Sequence, residues 1–204
     1  MLSAKAIVEL HDELTCLWHK AGGAEPEADE PEIADVWLDA VARQHRANFD
    51  LWHIEDEART PDAADARIAN VKRRVDLTNQ RRNDLAEELD RALLAWLQAR
   101  ELPKGDVPLN SESPGLMIDR LSILALKIYH TREEVERKNA PGRHAEQNRG
   151  RLRILEEQRR DLAQCLDALW NDTLVGRRRF KLYRQLKMYN DPELNPAIYG
   201  KNRL

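Results

Sequence analysis

The segment FDLWHIED, residues 49–56, brings together side chains that could carry out chemistry. His53, Glu55 and Asp56 are candidate catalytic groups, because imidazole and carboxylate side chains can exchange protons or bind metal ions. Trp52 adds an aromatic face beside them. If the segment lines a cavity, it can hold a polar ligand. If it faces solvent, it is an ordinary polar helix end.

The segment lies on a helix predicted over residues 32–59, whose inward face becomes polar partway along. At about 100° per residue, apolar and polar side chains share one sector of this helix. Its polar and aromatic candidates for ligand binding are His45, Trp52, Asp56 and, at the edge, Arg59. The alternative is that His45 is a hydrogen-bonded core histidine and that Asp56 and Arg59 only mark the helix end.

The next predicted helix, from about residue 61 to about residue 100, repeats this pattern, since Asn79 and Arg82 interrupt its apolar stripe. Burying an arginine without a carboxylate partner is costly, so Arg82 needs a partner across the bundle or a wet cavity. Pro61 fits the first turn of this helix, and a fold at Thr60 and Pro61 places Asp76 level with His45. The polar positions of both helices are therefore predicted to lie at the same height.

A fourth predicted helix, opened by Ser113 and Pro114, is apolar nearly all the way round, which is typical of a helix at the centre of a bundle. Its few polar residues must find partners inside. They include the candidates Asp119, Arg120, Ser122 and His130. Asp119 could instead be a first-turn acid that the helix dipole favours.

Metal and nucleotide motifs are weak or missing. His53 could pair with Asp50 or Asp56, whereas His45 lies about 16 Å along the axis from Asp56 and cannot share an ion with it. The chain contains no H-E-x-x-H, paired E-x-x-H, Walker or G-x-G-x-x-G motif. The sequence therefore leaves both metal and cofactor unknown.

A basic stretch over residues 177–187 is predicted as a C-terminal helix with an apolar side against the bundle. Its candidate anion contacts are Arg179, Lys181, Arg184 and Lys187. Nucleic-acid binding is one interpretation, because cations neutralise phosphates and aromatic rings stack on bases. A solvated cationic face, or the rim of a site for a small anionic ligand, ranks above it.

The composition predicts the architecture that must position these residues. In 204 residues there are only 8 glycines and 9 prolines, and 34% of the side chains are charged. We expect an all-α, single-domain antiparallel bundle of about five to six helices, with helix four central. The predicted division is an N-terminal helix over 1–21, an acidic linker over 22–31, the bundle over 32–190 and an irregular tail over 191–204.

Cysteine usage and hydropathy favour a cytoplasmic protein. Cys16 and Cys165 are far apart in apolar-periodic segments and fit reduced thiols. No segment predicts a membrane span or a cleavable signal. Residues 1–61 hold 14 acidic and 5 basic side chains, so the acidic end and the more basic remainder face different partners or each other. The oligomeric state is not indicated.

Four runs over residues 32–200 resemble a bacterial family known as domain of unknown function 4254: NFDLWHIEDEAR, KRRVDLTNQRRNDLAEELD, NSESPGLMIDRLSILALKIYHTREEVER and FKLYRQLKMYNDPELNP. The resemblance implies a helical fold and a setting among envelope glycosyltransferases. The motif positions it covers are Trp52, His53, Glu55, Asp56, Arg59, Asp76, Asn79, Arg82, Asp84, Asp119, Arg120, Ser122, Lys127, Tyr129, His130, Lys181, Arg184, Lys187 and Asn190.

The favoured hypothesis is a site between helices for a phosphorylated or sugar-nucleotide-like molecule of envelope glycan metabolism. Arg82, Arg120 and Arg184 would bind its anionic group. The alternative is a non-catalytic helical partner of a glycosyltransferase, and nucleic-acid binding ranks third. Whether the protein is an enzyme stays open.

Overall fold

The computed structural model describes residues 3–22, 36–103, 105–186 and 193–196. Most of the predicted acidic linker and tail lies outside these ranges, as do Lys187 and Asn190 at the end of the predicted bundle. The predicted division of the chain stays a prediction. The helices of the described residues are α1 (Ala4–Lys20), α2 (Val36–Glu57), α3 (Asp65–Gln98), α4 (Pro114–Glu136) and α5 (His144–Leu174). The predicted all-α bundle is confirmed. Among those residues, no helix combines the length and apolarity that crossing a membrane requires.

Helix α1 begins where the Ser3 hydroxyl accepts a hydrogen bond from the Ala6 N–H at 3.5 Å. Ile7, Leu14 and Trp18 on one face of α1 are buried. They belong to one hydrophobic core that also takes side chains from the other four helices. Removal of these apolar side chains from water holds α1 against the bundle.

Helices α2 and α3 form an antiparallel hairpin whose register is fixed by two ion pairs. Arg43 of α2 lies 3.2 Å from Glu88 of α3, and Glu57 at the end of α2 lies 2.7 Å from Arg74. Arg74 is already well inside α3. The first turns of α3 therefore project beyond the end of α2.

This register corrects the predicted one. Pro61 does not open the third helix, because Asp62 adopts a positive φ of 57° and α3 begins only at Asp65. The first turns of α3, which extend beyond the end of α2, offset the two helices along the axis, so His45 is not level with Asp76 as expected. Asp76 instead forms an ion pair with Lys72 on its own helix.

Helix α4 begins at the predicted cap, with Ser113 as N-cap and Pro114 as the first helical residue. Asp90 of α3 accepts hydrogen bonds from the Ser113 hydroxyl and, at 2.7 Å, from the Gly115 N–H. These contacts satisfy donors that a helix N-terminus otherwise leaves without partners. Helix α4 contacts all four other helices, which confirms its predicted central place.

The predicted basic C-terminal helix is wrong for the described residues. Helix α5 ends at Leu174, and Gly176 follows with a left-handed φ of 70° that a side chain would disfavour. The chain then becomes extended and lies beside the α3–α4 connection, where the Asn110 N–H donates to the Arg179 carbonyl at 2.7 Å. At Arg179, backbone pairing with this connection replaces helical hydrogen bonding.

Candidate functional site

Asp119 of α4 is the centre of a buried hydrogen-bond network, here called the Asp119 network. Its two oxygens accept from Arg82 of α3, from Nε at 2.7 Å and from Nη2 at 2.5 Å. From α2, Gln44 Nε2 donates to Oδ1 at 2.6 Å and Asn48 Nδ2 donates at 3.0 Å. Hydrogen bonding to this carboxylate raises the pKa of Arg82. The partner that the sequence required for Arg82 is therefore Asp119.

The network continues to His45 and α1. Asn48 Nδ2 donates to Ser122 Oγ at 2.9 Å, and Ser122 Oγ lies 2.7 Å from His45 Nδ1. His45 Nε2 lies 2.9 Å from Thr15 Oγ1 and 3.1 Å from the His11 carbonyl oxygen. Since that carbonyl can only accept, Nε2 carries the hydrogen and Nδ1 accepts from the Ser122 hydroxyl.

His45 is a neutral imidazole with both nitrogens hydrogen-bonded. Burial lowers its pKa to about 3, although the hydrogen bond to the His11 carbonyl opposes the shift. The His11 ring stacks on it with 4.4 Å between ring centroids. Burial, followed by the proximity of His45 and Arg159, lowers the pKa of His11 well below its usual value. This geometry fits the satisfied core histidine that the sequence left as an alternative.

A cleft of about 330 Å³ lies beside the Asp119 network. It brings together five of the predicted residues: Trp52, Glu55, Asp56, Arg59 and Arg82. Asn48, Leu51, Ile123 and Leu126 complete its lining. Polar and apolar side chains thus meet in one concave site, while the binding role predicted for them stays a prediction.

The mouth of the cleft holds two carboxylates and one guanidinium, so it carries one net negative charge. Arg59 lies 3.4 Å from Glu55 and 3.5 Å from Asp56, and its side chain is 66% exposed. Arg82, at the inner end, is already paired with Asp119. The anion-binding capacity of the cleft therefore resides in Arg59, whose contacts with the two carboxylates are long and open to solvent. Its Nη1 also donates to the Glu55 carbonyl oxygen at 2.7 Å.

Other predicted site residues lie elsewhere. Arg120 pairs with Glu112 at 2.8 Å and lines a separate cavity of about 580 Å³ between α4 and α5. Arg179 pairs with Asp106 at 2.8 Å, while Lys181 and Arg184 are exposed. Asn79 is half-buried on α3.

The candidates His53 and His130 meet away from the cleft lining, and His19 of α1 joins them. These three histidines form the single group in the described residues whose ligand atoms converge closely enough for a metal ion. Asp50, which the sequence offered as a partner for His53, pairs with Arg46 at 2.8 Å. The sequence had not indicated His19.

Sequence reasoning also missed the contributions of Gln44, Thr15 and His11 to the buried network. The spacing of these residues along their helices could have indicated them. His11 and Thr15 are spaced i, i+4 between the apolar positions of α1, and Gln44 precedes His45 on the inward side of α2.

Comparison with known proteins gives one match. A family model described as "Protein of unknown function (DUF4254)" matches residues 38–182, which confirms the resemblance seen in the sequence. A search of curated proteins and a search of solved structures each found no match. The matched range includes the cleft, Asp119, His53 and His130, but not α1.

Proposed function

The chain belongs to the DUF4254 family of unknown function, and from its cleft we propose that it binds a small phosphorylated molecule of about the size of one sugar. The observation that carries the proposal is the convergence of Trp52, Glu55, Asp56 and Arg59 in one cleft. Its volume of about 330 Å³ is at the lower end of the range for ligand sites, about 300–1,000 Å³. A nucleotide portion of a larger ligand would extend into solvent.

Different residues of the cleft lining would bind different parts of the ligand. Trp52 and the apolar floor offer a surface for the face of a sugar ring or base, because aromatic side chains remove large apolar areas from water. Glu55 and Asp56 can accept hydrogen bonds from ligand hydroxyl groups. Arg59 can turn from its long contacts with these carboxylates toward a phosphate, which its planar guanidinium binds through two N–H groups.

Arg82 has a different role from the one the sequence suggested. Its Nε and Nη2 atoms each donate a hydrogen bond to one oxygen of the Asp119 carboxylate. Binding a phosphate would therefore require breaking this ion pair. Without Arg82, the buried Asp119 carboxylate would keep two amide donors but lose its cationic partner, which is costly. Arg82 is therefore assigned to holding the inner wall of the cleft.

Catalysis by this site, if the protein is an enzyme, would rest on Glu55 and Asp56. Both carboxylates line the cleft, whereas His53 is not part of its lining. A role in envelope glycan metabolism is the finer part of the proposal and derives from the family resemblance. The glycosyltransferase-partner and nucleic-acid hypotheses stay predictions.

The proposal is tested by thermal shift and calorimetry with a panel of sugar phosphates, nucleotide sugars and the corresponding unphosphorylated sugars. We expect a phosphorylated member to raise the melting temperature. Arg59→Gln should then weaken its binding by about 10-fold or more, because a hydrogen bond to a charged group contributes about 1.5–3 kcal/mol. The affinity of the unphosphorylated analogue should change little.

Arg120→Gln is the matched control. Arg120 is also an exposed arginine paired with a glutamate, but it lines the separate cavity between α4 and α5. Trp52→Leu should weaken both ligand forms. The proposal fails if no phosphorylated compound stabilises the protein, or if Arg59→Gln and Arg120→Gln weaken binding equally.

A further inference from the structure

Three histidines from three different helices face one another near the ends of α1, α2 and α4. One ring nitrogen of each of His19, His53 and His130 lies within 4.8 Å of the corresponding nitrogens of the other two. The ring centroid of His19 lies 5.1 Å from the ring centroid of His53 and 4.9 Å from that of His130. None of the three histidines lines the cleft, although Trp52 contacts both sites.

The hydrogen bonds of these rings fix which nitrogen is free. His19 Nδ1 lies 2.7 Å from the Thr15 carbonyl oxygen, and His53 Nδ1 lies 2.8 Å from the Phe49 carbonyl oxygen. Carbonyl oxygens can only accept, so both Nδ1 atoms carry hydrogen. In each neutral ring, Nε2 then presents an unshared electron pair.

His130 follows the same pattern through a side chain. Its Nδ1 lies 2.8 Å from the Glu133 carboxylate, one turn further along α4. Metal-binding histidines commonly donate their second N–H to a carbonyl or carboxylate, which sets the tautomer and makes the other nitrogen a better ligand. The Nε2 atoms of His19 and His130 are buried without a hydrogen-bond partner in the described residues.

Stacked aromatic rings hold two of these imidazoles in place. Tyr129 stacks on His19 with centroids 4.1 Å apart, and Trp52 stacks on His130 at 4.8 Å. Burial lowers the pKa of His19, and the nearby His130 and His53 lower it further, against the opposing hydrogen bond to Thr15. A neutral imidazole is the form that binds a metal ion.

The dimensions fit a small ion. Nitrogens no more than 4.8 Å apart all lie within about 2.8 Å of a common point, and Zn–N bonds are about 2.0–2.1 Å long. An inward movement of less than about 1 Å per ring closes this difference. Glu133, which hydrogen-bonds to His130, adds a negative charge next to the site.

We propose that His19, His53 and His130 form a three-histidine site for a divalent transition metal, with Zn²⁺ as the expected ion. Neutral imidazole ligands favour zinc and its neighbours in the first transition row over Mg²⁺ and Ca²⁺, which prefer oxygen. Three protein ligands leave a fourth tetrahedral position for water or another small ligand.

The test uses the full chain, without a histidine tag, after treatment with a chelator. Titration calorimetry with Zn²⁺ alone should show one ion bound per chain, and Mg²⁺ should show none. Co²⁺ alone should give the visible absorption bands of tetrahedral coordination. In ¹⁵N-labelled protein, Zn²⁺ should shift the Nε2 resonances of three histidines, a readout that needs no variant.

His53→Gln and His130→Gln should each weaken Zn²⁺ binding by at least about 100-fold, and Glu133→Gln by about 10-fold or more. His144→Gln is the matched control, because His144 bonds to Glu134 and lies outside the group. It should leave affinity unchanged. Melting curves will establish whether each variant is folded. If a variant is not folded, the Nε2 shifts of the ¹⁵N-labelled wild type test the proposal instead.

Two results would overturn the proposal. One is wild-type protein that binds no Zn²⁺ stoichiometrically, which would make the three rings a packing cluster only. The other is binding that survives in both His53→Gln and His130→Gln or is equally lost in His144→Gln, because the ion would then be bound elsewhere.

Discussion

Neutral His45 in the core makes the stability of the fold depend on pH. In the folded protein its pKa is lowered from 6.5 to about 3 by burial, with an exposed fraction of 0%. Below about pH 6.5 the unfolded chain therefore binds a proton at this position that the folded chain does not. The contribution of His45 to stability is present above this pH, is lost as the pH falls, and stops changing below about pH 3.

The size of the effect follows from the pKa difference. Between about pH 7 and about pH 5, His45 alone should lower the free energy of unfolding by about 2 kcal/mol, at about 1.4 kcal/mol per pH unit below the unfolded pKa. His11, whose pKa is also lowered by burial, acts in the same direction. Asp90 acts in the opposite direction, because burial raises its pKa to about 6.

A comparison of two proteins isolates His45 from these other groups. His45→Gln keeps a donor and an acceptor but does not titrate, so it destabilises the protein at every pH and lacks the proton linkage. Urea unfolding followed by circular dichroism at several pH values should show the wild type losing about 2 kcal/mol more than the variant between about pH 7 and about pH 5. Parallel pH curves for the two proteins would refute a neutral, buried His45.

Two further predictions concern packing around α4. Arg82→Met should lower the free energy of unfolding by about 3 kcal/mol, because it leaves the Asp119 carboxylate buried without its partner, and adding Asp119→Asn should recover part of that loss in the same urea assay. Gly115→Ala should cost about 1–3 kcal/mol, because its new Cβ would overlap the Ala86 carbonyl oxygen. Gly150→Ala, where a Cβ meets nothing within 4 Å, should be neutral or stabilising.

Local signals in the sequence accounted for the helices better than for their relative positions. The Ser113–Pro114 cap and the all-round apolarity of α4 correctly predicted where this helix starts and that it is central. The register of the α2–α3 hairpin could not be predicted, because it depends on the φ of Asp62 and on ion pairs between distant residues. The basic segment failed as a helix because its pairing partner, near Asn110, is remote in sequence.

In the candidate site, too, some residues could be predicted from local sequence and others depend on how the helices pack. Polar residues on otherwise apolar faces pointed to Asp119 and Arg82, since a buried charge requires a partner whatever the fold. The three-histidine group left no pattern, because His19, His53 and His130 come from separate helices and have no characteristic spacing. Only the packing of α1 against α2 and α4 brings the third ring into place.

The Asp119 network also restricts how α4 can pack in the bundle. Its donors on α2 and α3 are separated from Asp119 by 37 to 75 residues, so the carboxylate reaches them only when α4 docks. Without α4 in place, Arg82 and the side-chain amides of Gln44 and Asn48 would be hydrogen-bonded to water. Displacing α4 by one turn, about 5.4 Å, would strand Asp119 from all three. Helix α4 therefore packs stably in a single register, because only there does Asp119 replace the water around these three donors.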